Sequence, residues 1–350
     1  MLSHDEIYNC LAEVFPPDGR SGTQLVARCL LKALELDHGR AFVFLPDCHL
    51  LTKADSSKYP KNHFDLDAEL RRLINALVTL KAAHRGELSV VHLGDLFDIW
   101  RARGQTTNKG KTDRIASQYS DVMEKLLNGP PTGLRADLLA GNHDYVVHEL
   151  SEWNWPRFRI LENSQSALGD ALLMHGDQFD WLERTLKGAQ AGIVRIARWV
   201  SSGKHELDQE QHEAVDTVNQ SVLLGDNPIG VPNTDFPAPL PDPLGALPDM
   251  HNVVPWTVAT ANSPSTHFYK AARQLALELK HHGHDVRLIV IGHTHSARIV
   301  VGDRGDNRPL VLLDCGAWLG QCRLNPSDPW VPSAQVGVLV GNDARIYQLV

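Results

Sequence analysis

Five short apolar runs of the chain are each followed by side chains that can bind metal ions. The runs are Ala41–Leu45, Leu88–Leu93, Ala136–Ala140, Ala171–Met174 and Val286–Ile291. The candidate ligands that follow them are Asp47, His49, Asp95, Asn142, His175, His293 and His295. Short apolar runs bounded by turn residues favour buried strands. Ligands bind in the crevice beyond the carboxyl ends of strands in open α/β sheets, so these seven side chains are expected to meet in one site.

The residue types predict a site for two divalent metal ions. Carboxylate, amide and imidazole ligands together suit manganese, iron, zinc, nickel or cobalt, whereas a structural zinc site is usually rich in cysteine. Seven ligands exceed what one ion needs, and a carboxylate can bridge two ions about 3.5–4 Å apart. Only Asp47 and Asp95 are acidic, so two divalent ions would keep an excess positive charge in the site. That charge would attract phosphate and lower the pKa of a bound water.

Glycine precedes the candidate site residues at three places. Gly94 stands before Asp95, and Gly141 and Gly292 open the third and fifth motifs. Glycine permits tight backbone turns, which would leave room for metal ions and substrate.

Helical patterns lie between the predicted strands. Asp65–Ala83 places its leucines and Ile74 on one face, and Thr112–Leu127 predicts a second, weaker helix. Alternation of strands and helices favours parallel pairing with right-handed crossovers. The last part of the chain instead predicts consecutive strands, at Ala297–Val301, Leu310–Leu313, Val336–Val340 and Arg345–Val350. The expected fold class is α/β, with one mixed sheet or two packed sheets and helices outside.

Two segments depart from this pattern. Residues 1–40 predict an N-terminal helical extension, with two helical stretches around a turn at Pro16–Gly22. The catalytic domain is expected to comprise residues 41–177 and 264–350, interrupted by an insertion at residues 178–263. Long loops inside compact domains are usually functional or mobile, so the insertion is a candidate cap or lid, although packing on the side of the domain remains an alternative.

The insertion has three parts by composition. An apolar stretch and a charged stretch each suit a helix, and a segment rich in proline, glycine and aspartate follows them. These parts are Trp181–Val200, Lys204–Val222 and Gly225–Pro255, respectively.

Bulk composition limits the partners and the compartment. The 350 residues include 34 basic and 42 acidic side chains, for a net charge of −8. No block of lysine and arginine appears, so nucleic acid is disfavoured as the partner but not excluded. The N-terminus lacks the apolar segment of a signal peptide, and no apolar stretch approaches the roughly 18 residues of a membrane span. Five cysteines without a CxxC pair suggest free thiols and a cytoplasmic location.

Five motifs resemble the signatures of the calcineurin-like metallophosphoesterases and occur in the order found in that family. They are PDCH at 46–49, GDLFD at 94–98, GNHD at 141–144, HGD at 175–177 and GHTH at 292–295. Each motif alone is weakly specific, but all five in order, each at a predicted strand end, are highly specific. The resemblance implies a four-layer αββα sandwich, in which helices flank two packed β-sheets.

The resemblance also implies a role for each site residue. The first ion would be bound by Asp47, His49 and His295, and the second ion by Asn142, His175 and His293. Asp95 would bridge the two ions. His143 would face the leaving oxygen of the substrate without binding metal. Asp98 and Asp144 would orient ligands or His143.

The predicted activity is hydrolysis of a phosphoester or pyrophosphate bond by metal-activated hydroxide, with manganese as the preferred metal. GDLFDIW, HGDQFDW and GHTH resemble motifs of bacterial UDP-2,3-diacylglucosamine hydrolases, which commonly have arginine where this chain has His143. The preferred substrate is therefore a nucleotide-linked diphosphate or another phosphodiester. Protein Ser/Thr phosphatases are disfavoured because they carry GDxxDRG and GNHE. Two alternatives remain: a nuclease of the same fold, and a non-catalytic metal-binding scaffold.

Overall fold

Two mixed β-sheets pack face to face, and helices cover their outer surfaces. The structure is a computed structural model. It describes residues 2–18, 22–34, 37–56, 66–84, 86–99, 102, 107–144, 147, 153, 155–163, 168–179, 253–255, 264–295, 297–322 and 331–350. The helices are α1 His4–Val14, α2 Lys53–Ser56, α3 Asp67–Ala83, α4 Asn108–Gln118, α5 Ser120–Leu127 and α6 Pro264–His281. A short 3-10 turn spans Leu31–Leu34.

The first sheet carries the amino-terminal motifs. Its strands are β1 Gln24–Leu30, β2 Ala41–Leu45, β3 Leu88–His92, β4 Asp137–Leu138, β11 Trp318–Cys322, β12 Val331–Val340 and β13 Asp343–Gln348. Their order is β1-β13-β12-β2-β3-β4, with β11 beside β12. β2, β3 and β4 run parallel, so their carboxyl ends lie at the same edge.

The second sheet carries the remaining motifs. Its strands are β5 Phe158–Leu161, β6 Asp170–Met174, β7 Val253–Pro255, β8 Val286–Ile291, β9 Arg298–Asp303 and β10 Pro309–Asp314. Their order is β5-β6-β8-β10-β9-β7. The central strands β6, β8 and β10 are parallel, so their carboxyl ends also share one edge.

The apolar core has three layers. Side chains of both sheets, such as Phe44 and Leu173, form the layer between the sheets. Leu73 of α3 and Val122 of α5 contribute to the layer that covers the first sheet, and Leu275 of α6 belongs to the layer that covers the second. This arrangement is the predicted four-layer αββα sandwich.

The predicted strands and helices that border the site are present with small shifts. β2 and β8 match the predicted bounds, and every residue of both strands is buried. α3 begins at Asp67 rather than at the predicted Asp65. One helix was expected over residues 112–127, but two are present, because the chain turns at Tyr119. The Tyr119 hydroxyl donates to the Leu51 carbonyl at 3.0 Å, which ties this turn to the segment after the first motif.

The prediction of a helical extension over residues 1–40 is wrong in its second half. Gln24–Leu30 forms β1, which pairs antiparallel with β13 and is an edge strand of the first sheet. Ala27 and Cys29 point into the layer between the sheets, while Arg28 binds the carboxylate of Asp343 on β13, with Nη2 2.9 Å from Oδ2. This alternation of buried and half-buried side chains is that of a strand.

The insertion also differs from its prediction at one place. Val253–Pro255, predicted as the end of the loop 225–255, forms β7 and pairs parallel with β9. The helices predicted at Trp181–Val200 and Lys204–Val222, and the rest of the loop, lie outside the described residues. None of the helices in the described parts of the chain is both long and apolar enough to cross a membrane.

Candidate metal centre

The seven predicted ligands come together where the carboxyl ends of the two sheets' parallel strands face each other. Asp47 and His49 follow β2, Asp95 follows β3, and Asn142 follows the short strand β4. On the other sheet His175 follows β6, and His293 and His295 follow β8. Six of the seven side chains are buried, and His293 is partly exposed.

The first group contains Asp47, His49 and His295, whose ligand atoms all lie within 4.8 Å of one another. His295 Nε2 lies 3.1 Å from Asp47 Oδ2 and 3.1 Å from His49 Nε2. One carboxylate oxygen and two imidazole nitrogens thus point at a common position, which is the donor set that divalent transition metals prefer.

The second group contains Asp95, His175 and His293, with ligand atoms within the same distance of one another. His175 Nε2 lies 3.1 Å from Asp95 Oδ2 and 3.2 Å from His293 Nδ1. The side-chain oxygen of Asn142 joins this group at 2.9 Å from His175 Nε2. The second group is therefore complete with one carboxylate, one amide oxygen and two imidazoles.

Asp95 lies between the two groups. Its Oδ2 is 3.1 Å from His175 Nε2 in the second group and 3.7 Å from His49 Nε2 in the first. Its Oδ1 accepts a hydrogen bond from the backbone N–H of His143 at 2.8 Å. This is the position a bridging carboxylate would need in a two-metal site.

His143 lies beside the first group, held by Asp98. Its Nδ1 is 3.0 Å from Asp98 Oδ1, and its ring packs edge-on against His49 with centroids 4.5 Å apart. Asp98 Oδ2 is also 3.9 Å from His49 Nδ1. Asp98 therefore contacts both His143 and a candidate ligand.

Asp144 binds the backbone of two motifs rather than a side chain. Its Oδ1 accepts from the N–H groups of Gly141 and Asp95 at 2.7 and 3.3 Å, and its Oδ2 accepts from Phe97 N–H at 3.2 Å. The second and third motifs are thereby joined. Burial and the nearby charge of Asp95 raise the pKa of Asp144 to about 7, while the N–H groups of Gly141 and Phe97 oppose this shift.

The backbone at the ligands is unusual. Four of the seven have positive φ: His49 at 48°, Asp95 at 55°, His293 at 68° and His295 at 54°. Few residues other than glycine adopt this region, and such strain concentrates at functional sites. The turns at the strand ends thus direct these side chains into the site. The strained backbone of these turns is stabilised by the surrounding fold.

Two of the three glycines are explained by a neighbouring side chain that lies close to the backbone, not by an unusual turn. A Cβ at Gly141 would overlap Asp95 Oδ1, and a Cβ at Gly292 would overlap Asp47 Oδ1. Only Gly94, with φ 106°, has the left-handed conformation that a tight turn requires. The reason for glycine at 141 and 292 is therefore the space occupied by the two carboxylates.

The charges of the site suit cations. Burial works to raise the pKa of Asp47, but the charges of His175 and His295 lower it to about 2. Burial opposes a charge on His175, yet Asp95 and Asp47 raise its pKa to about 10. Two buried carboxylates thus attract positive charge strongly. Metal binding displaces protons from imidazole ligands, so the residues fit divalent ions.

A buried cluster behind the fifth motif was not predicted from the sequence. Asp314, the last residue of β10, accepts a hydrogen bond from Thr294 Oγ1, and its Oδ2 forms an ion pair with Arg298 Nε at 3.2 Å. Thr294 stands between His293 and His295 in the sequence. Asp314 therefore fixes the turn that carries two ligands. Its signals in the sequence are a polar residue at the end of a strand and the likeness of residues 314–318 to a strand end that follows the last signature in many family members.

Comparison with known proteins agrees with this geometry. A model of the calcineurin-like phosphoesterase family matches residues 41–297 of the chain. A search of curated proteins found no match to the chain. Because the family model covers well over half of the 350 residues, the chain belongs to the calcineurin-like phosphoesterase family and is a metallophosphoesterase.

Proposed function

We propose that this calcineurin-like phosphoesterase hydrolyses a phosphoester or pyrophosphate bond with two divalent metal ions, preferably manganese. The main support is the position of Asp95, whose carboxylate touches two separate groups of buried ligands. A single-ion site would not need a carboxylate between two complete groups of donors.

We assign the ligands by the group in which each lies. Asp47, His49 and His295 hold the first ion, Asn142, His175 and His293 hold the second, and Asp95 binds both. Divalent ions held by these residues would lower the pKa of a bound water and neutralise charge on the phosphoryl oxygens. The turns of the chain orient the ligands, and burial excludes bulk water from them.

His143 is assigned to the leaving group. Its Nδ1 contacts Asp98 Oδ1 at 3.0 Å, so Nε2 is the nitrogen that would hold a proton for the departing oxygen. A carboxylate on one imidazole nitrogen fixes the tautomer and orients the ring. Asp98 is thus the residue that positions His143, and Asp144 positions the turn on which His143 lies.

A nucleotide-linked diphosphate or another phosphodiester is the proposed substrate. The support is the likeness of the GDLFDIW, HGDQFDW and GHTH motifs to those of bacterial UDP-2,3-diacylglucosamine hydrolases. Those enzymes commonly have arginine at the position of His143. Arginine stays protonated, whereas histidine can donate its proton, so we expect this chain to protonate its leaving group directly.

The insertion is proposed to border the substrate site as a cap or lid. Support comes from the residues at its two ends: Phe179 packs edge-on against Phe268, with centroids 5.9 Å apart, and Phe268 lies 6.2 Å from the ring of His293. Both ends are therefore anchored beside the second group of ligands.

The proposed division of the chain assigns strand β7 to the catalytic domain rather than to the insertion. The proposed location is the cytoplasm, as the free thiols of Cys10, Cys29, Cys48 and Cys315 favour.

A substrate panel tests the proposal. Protein stripped of metal and reconstituted with manganese should cleave phosphodiesters and nucleotide diphosphate sugars faster than phosphomonoesters. Iron, zinc, nickel and cobalt serve as comparison metals. Preference for monoesters would contradict the proposed substrate class. Faster cleavage of single- or double-stranded oligonucleotides would favour the nuclease. Two bound ions without turnover of any phosphorylated compound would identify a scaffold.

A further inference from the structure

The segment that precedes β5 connects the two sheets next to the second group of ligands. The Pro156 carbonyl accepts a hydrogen bond from Ala140 N–H at 3.0 Å, just before the GNHD motif that follows β4. Two residues later the chain enters β5, where Phe158 pairs with Met174, the last residue of β6. This segment therefore lies against both the strand end that carries Asn142 and the strand end that carries His175.

Arg157 stands in the middle of that segment and is 1% exposed. Its Nη1 donates to the Ala140 carbonyl at 3.0 Å and also to the Gly141 carbonyl. Its Nη2 donates to the carboxylate of Asp177, which is buried in the HGD motif two residues after His175. One guanidinium thus holds the backbone of the third motif and the acidic side chain of the fourth.

The chemistry of this contact makes it rigid. A guanidinium is a planar fork of fixed donors, and its charge does not depend on pH in the ordinary range. A buried charge that loses its partner is strongly unfavourable. The buried side chains of Arg157 and Asp177 therefore stay paired. Asn142 and His175 come from different sheets, and their contact of 2.9 Å depends on the two sheets keeping a fixed separation.

We propose that Arg157 is a positioning residue that fixes the separation of Asn142 and His175 through Asp177, and so determines the affinity for the second metal ion. The inference rests on the proposed function, in which Asn142 and His175 bind the same ion. In the described part of the chain, the contacts that hold the Arg157 side chain are made to Ala140, Gly141 and Asp177, none of which belongs to the first group. We therefore expect Arg157 to act mainly on the second ion.

The test is manganese binding by the full chain after removal of metal. Wild-type protein should bind two manganese ions by calorimetry and metal analysis, and show the electron paramagnetic resonance signal of a coupled pair. Arg157→Gln should leave the first ion at wild-type affinity and weaken the second about 10–100-fold, the usual effect of losing a residue that orients metal ligands. The coupled signal should vanish at stoichiometric manganese and return at excess.

A second buried arginine provides the matched control. Arg304 is 0% exposed and binds Asp306 and the Val286 carbonyl, at the end of β8 opposite to His293. Arg304→Gln, like Arg157→Gln, should lower thermal stability, but it should not change the affinity for either ion. Arg157→Lys keeps the charge beside Asp177 but loses the fork, so it should restore part of the second ion's affinity.

Asp177→Asn covers the case in which Arg157→Gln does not fold. It keeps a hydrogen-bond acceptor for Arg157 while removing the charge, and it should weaken the second ion more than the first. Wild-type affinity for both ions in Arg157→Gln, or in Asp177→Asn if only that variant folds, would overturn the inference and leave the proposed function standing. Wild-type protein that binds two ions but cleaves no phosphoester would contradict the proposed function alone. Wild-type protein that binds no second ion would overturn both.

Discussion

His143 Nδ1 lies 3.0 Å from Asp98 Oδ1, and both side chains are buried beside the first group of ligands. The contact leaves Nε2 as the nitrogen that can serve the substrate. Asp98 comes from the loop after β3 and His143 from the loop after β4, so two neighbouring parallel strands supply the pair. The pair therefore has the arrangement that the proposed proton donor and its orienting carboxylate require.

His143→Ala should lower kcat by about 10²–10⁴, the usual loss when a general acid is removed. Manganese content should stay near the wild-type value, because His143 is not among the assigned ligands. The loss should shrink for substrates whose leaving groups need no proton, such as nitrophenyl esters. Steady-state kinetics on a series of leaving groups, with metal analysis of each sample, measures both effects. Loss of metal from His143→Ala would show that the assigned role is wrong.

Asp95→Asn should weaken both ions, since one oxygen of Asp95 lies near Nε2 of His175 in the second group and near Nε2 of His49 in the first. An amide has no negative charge and only one oxygen, so it bridges two cations poorly. Asn142→Ala is the matched comparison, because it removes a ligand from the second group alone. Metal titration should show two weakened sites for Asp95→Asn and one for Asn142→Ala. A selective loss of one ion in Asp95→Asn would refute the bridge.

Gly141→Ala should impair metal binding through a steric effect. The new methyl group would overlap Asp95 Oδ1, so the bridging carboxylate must move. Overpacking at such a position typically costs about 1–3 kcal/mol of stability. Gly39→Ala is the control. Nothing lies within 4 Å of the position that its new Cβ would occupy, so the only cost of alanine is the unfavourable φ of 59°. Gly39→Ala should lose about 1 kcal/mol of stability and keep both ions. Unchanged metal affinity in Gly141→Ala would contradict the close approach.

Replacing residues 225–252 with a short Gly/Ser linker should separate a lid from a peripheral loop. The replacement ends before Val253, because Val253–Pro255 pairs with β9 in the second sheet. A lid predicts unchanged metal content and unchanged cleavage of a small chromogenic ester, with a lower kcat/KM for a nucleotide diphosphate sugar. If the shortened protein treats small and large substrates as the wild type does, the segment is not a lid.

The parts of the fold that could be predicted are those with strong local patterns. β2 and β8 are buried on both faces, so they read as unbroken apolar runs with correct bounds. β1 was mistaken for a helix because it is an edge strand whose partner, β13, lies at the other end of the chain. β7 has three residues and follows a proline-rich stretch, so no local periodicity marks it.

The same distinction applies to the site. The grouping of the seven candidate ligands could be predicted because each follows a strand end within a short motif. Arg157 could not, since its proposed role arises from contacts with Gly141 and Asp177 that only the packing of two sheets creates. The glycine at 141 was predicted as a turn residue, whereas the structure shows that a carboxylate occupies the space beside it. Motifs thus identify the atoms that could bind metal, and tertiary packing decides what holds them in place.

The dependence of turnover on metal tests the central claim most directly. Protein dialysed against a chelator until no metal is detectable should not hydrolyse a chromogenic phosphodiester, because the proposed mechanism activates the attacking water through metal ions. Titration with manganese should restore turnover, with activity rising as the second equivalent binds. Full activity in thoroughly demetallated protein would contradict the account.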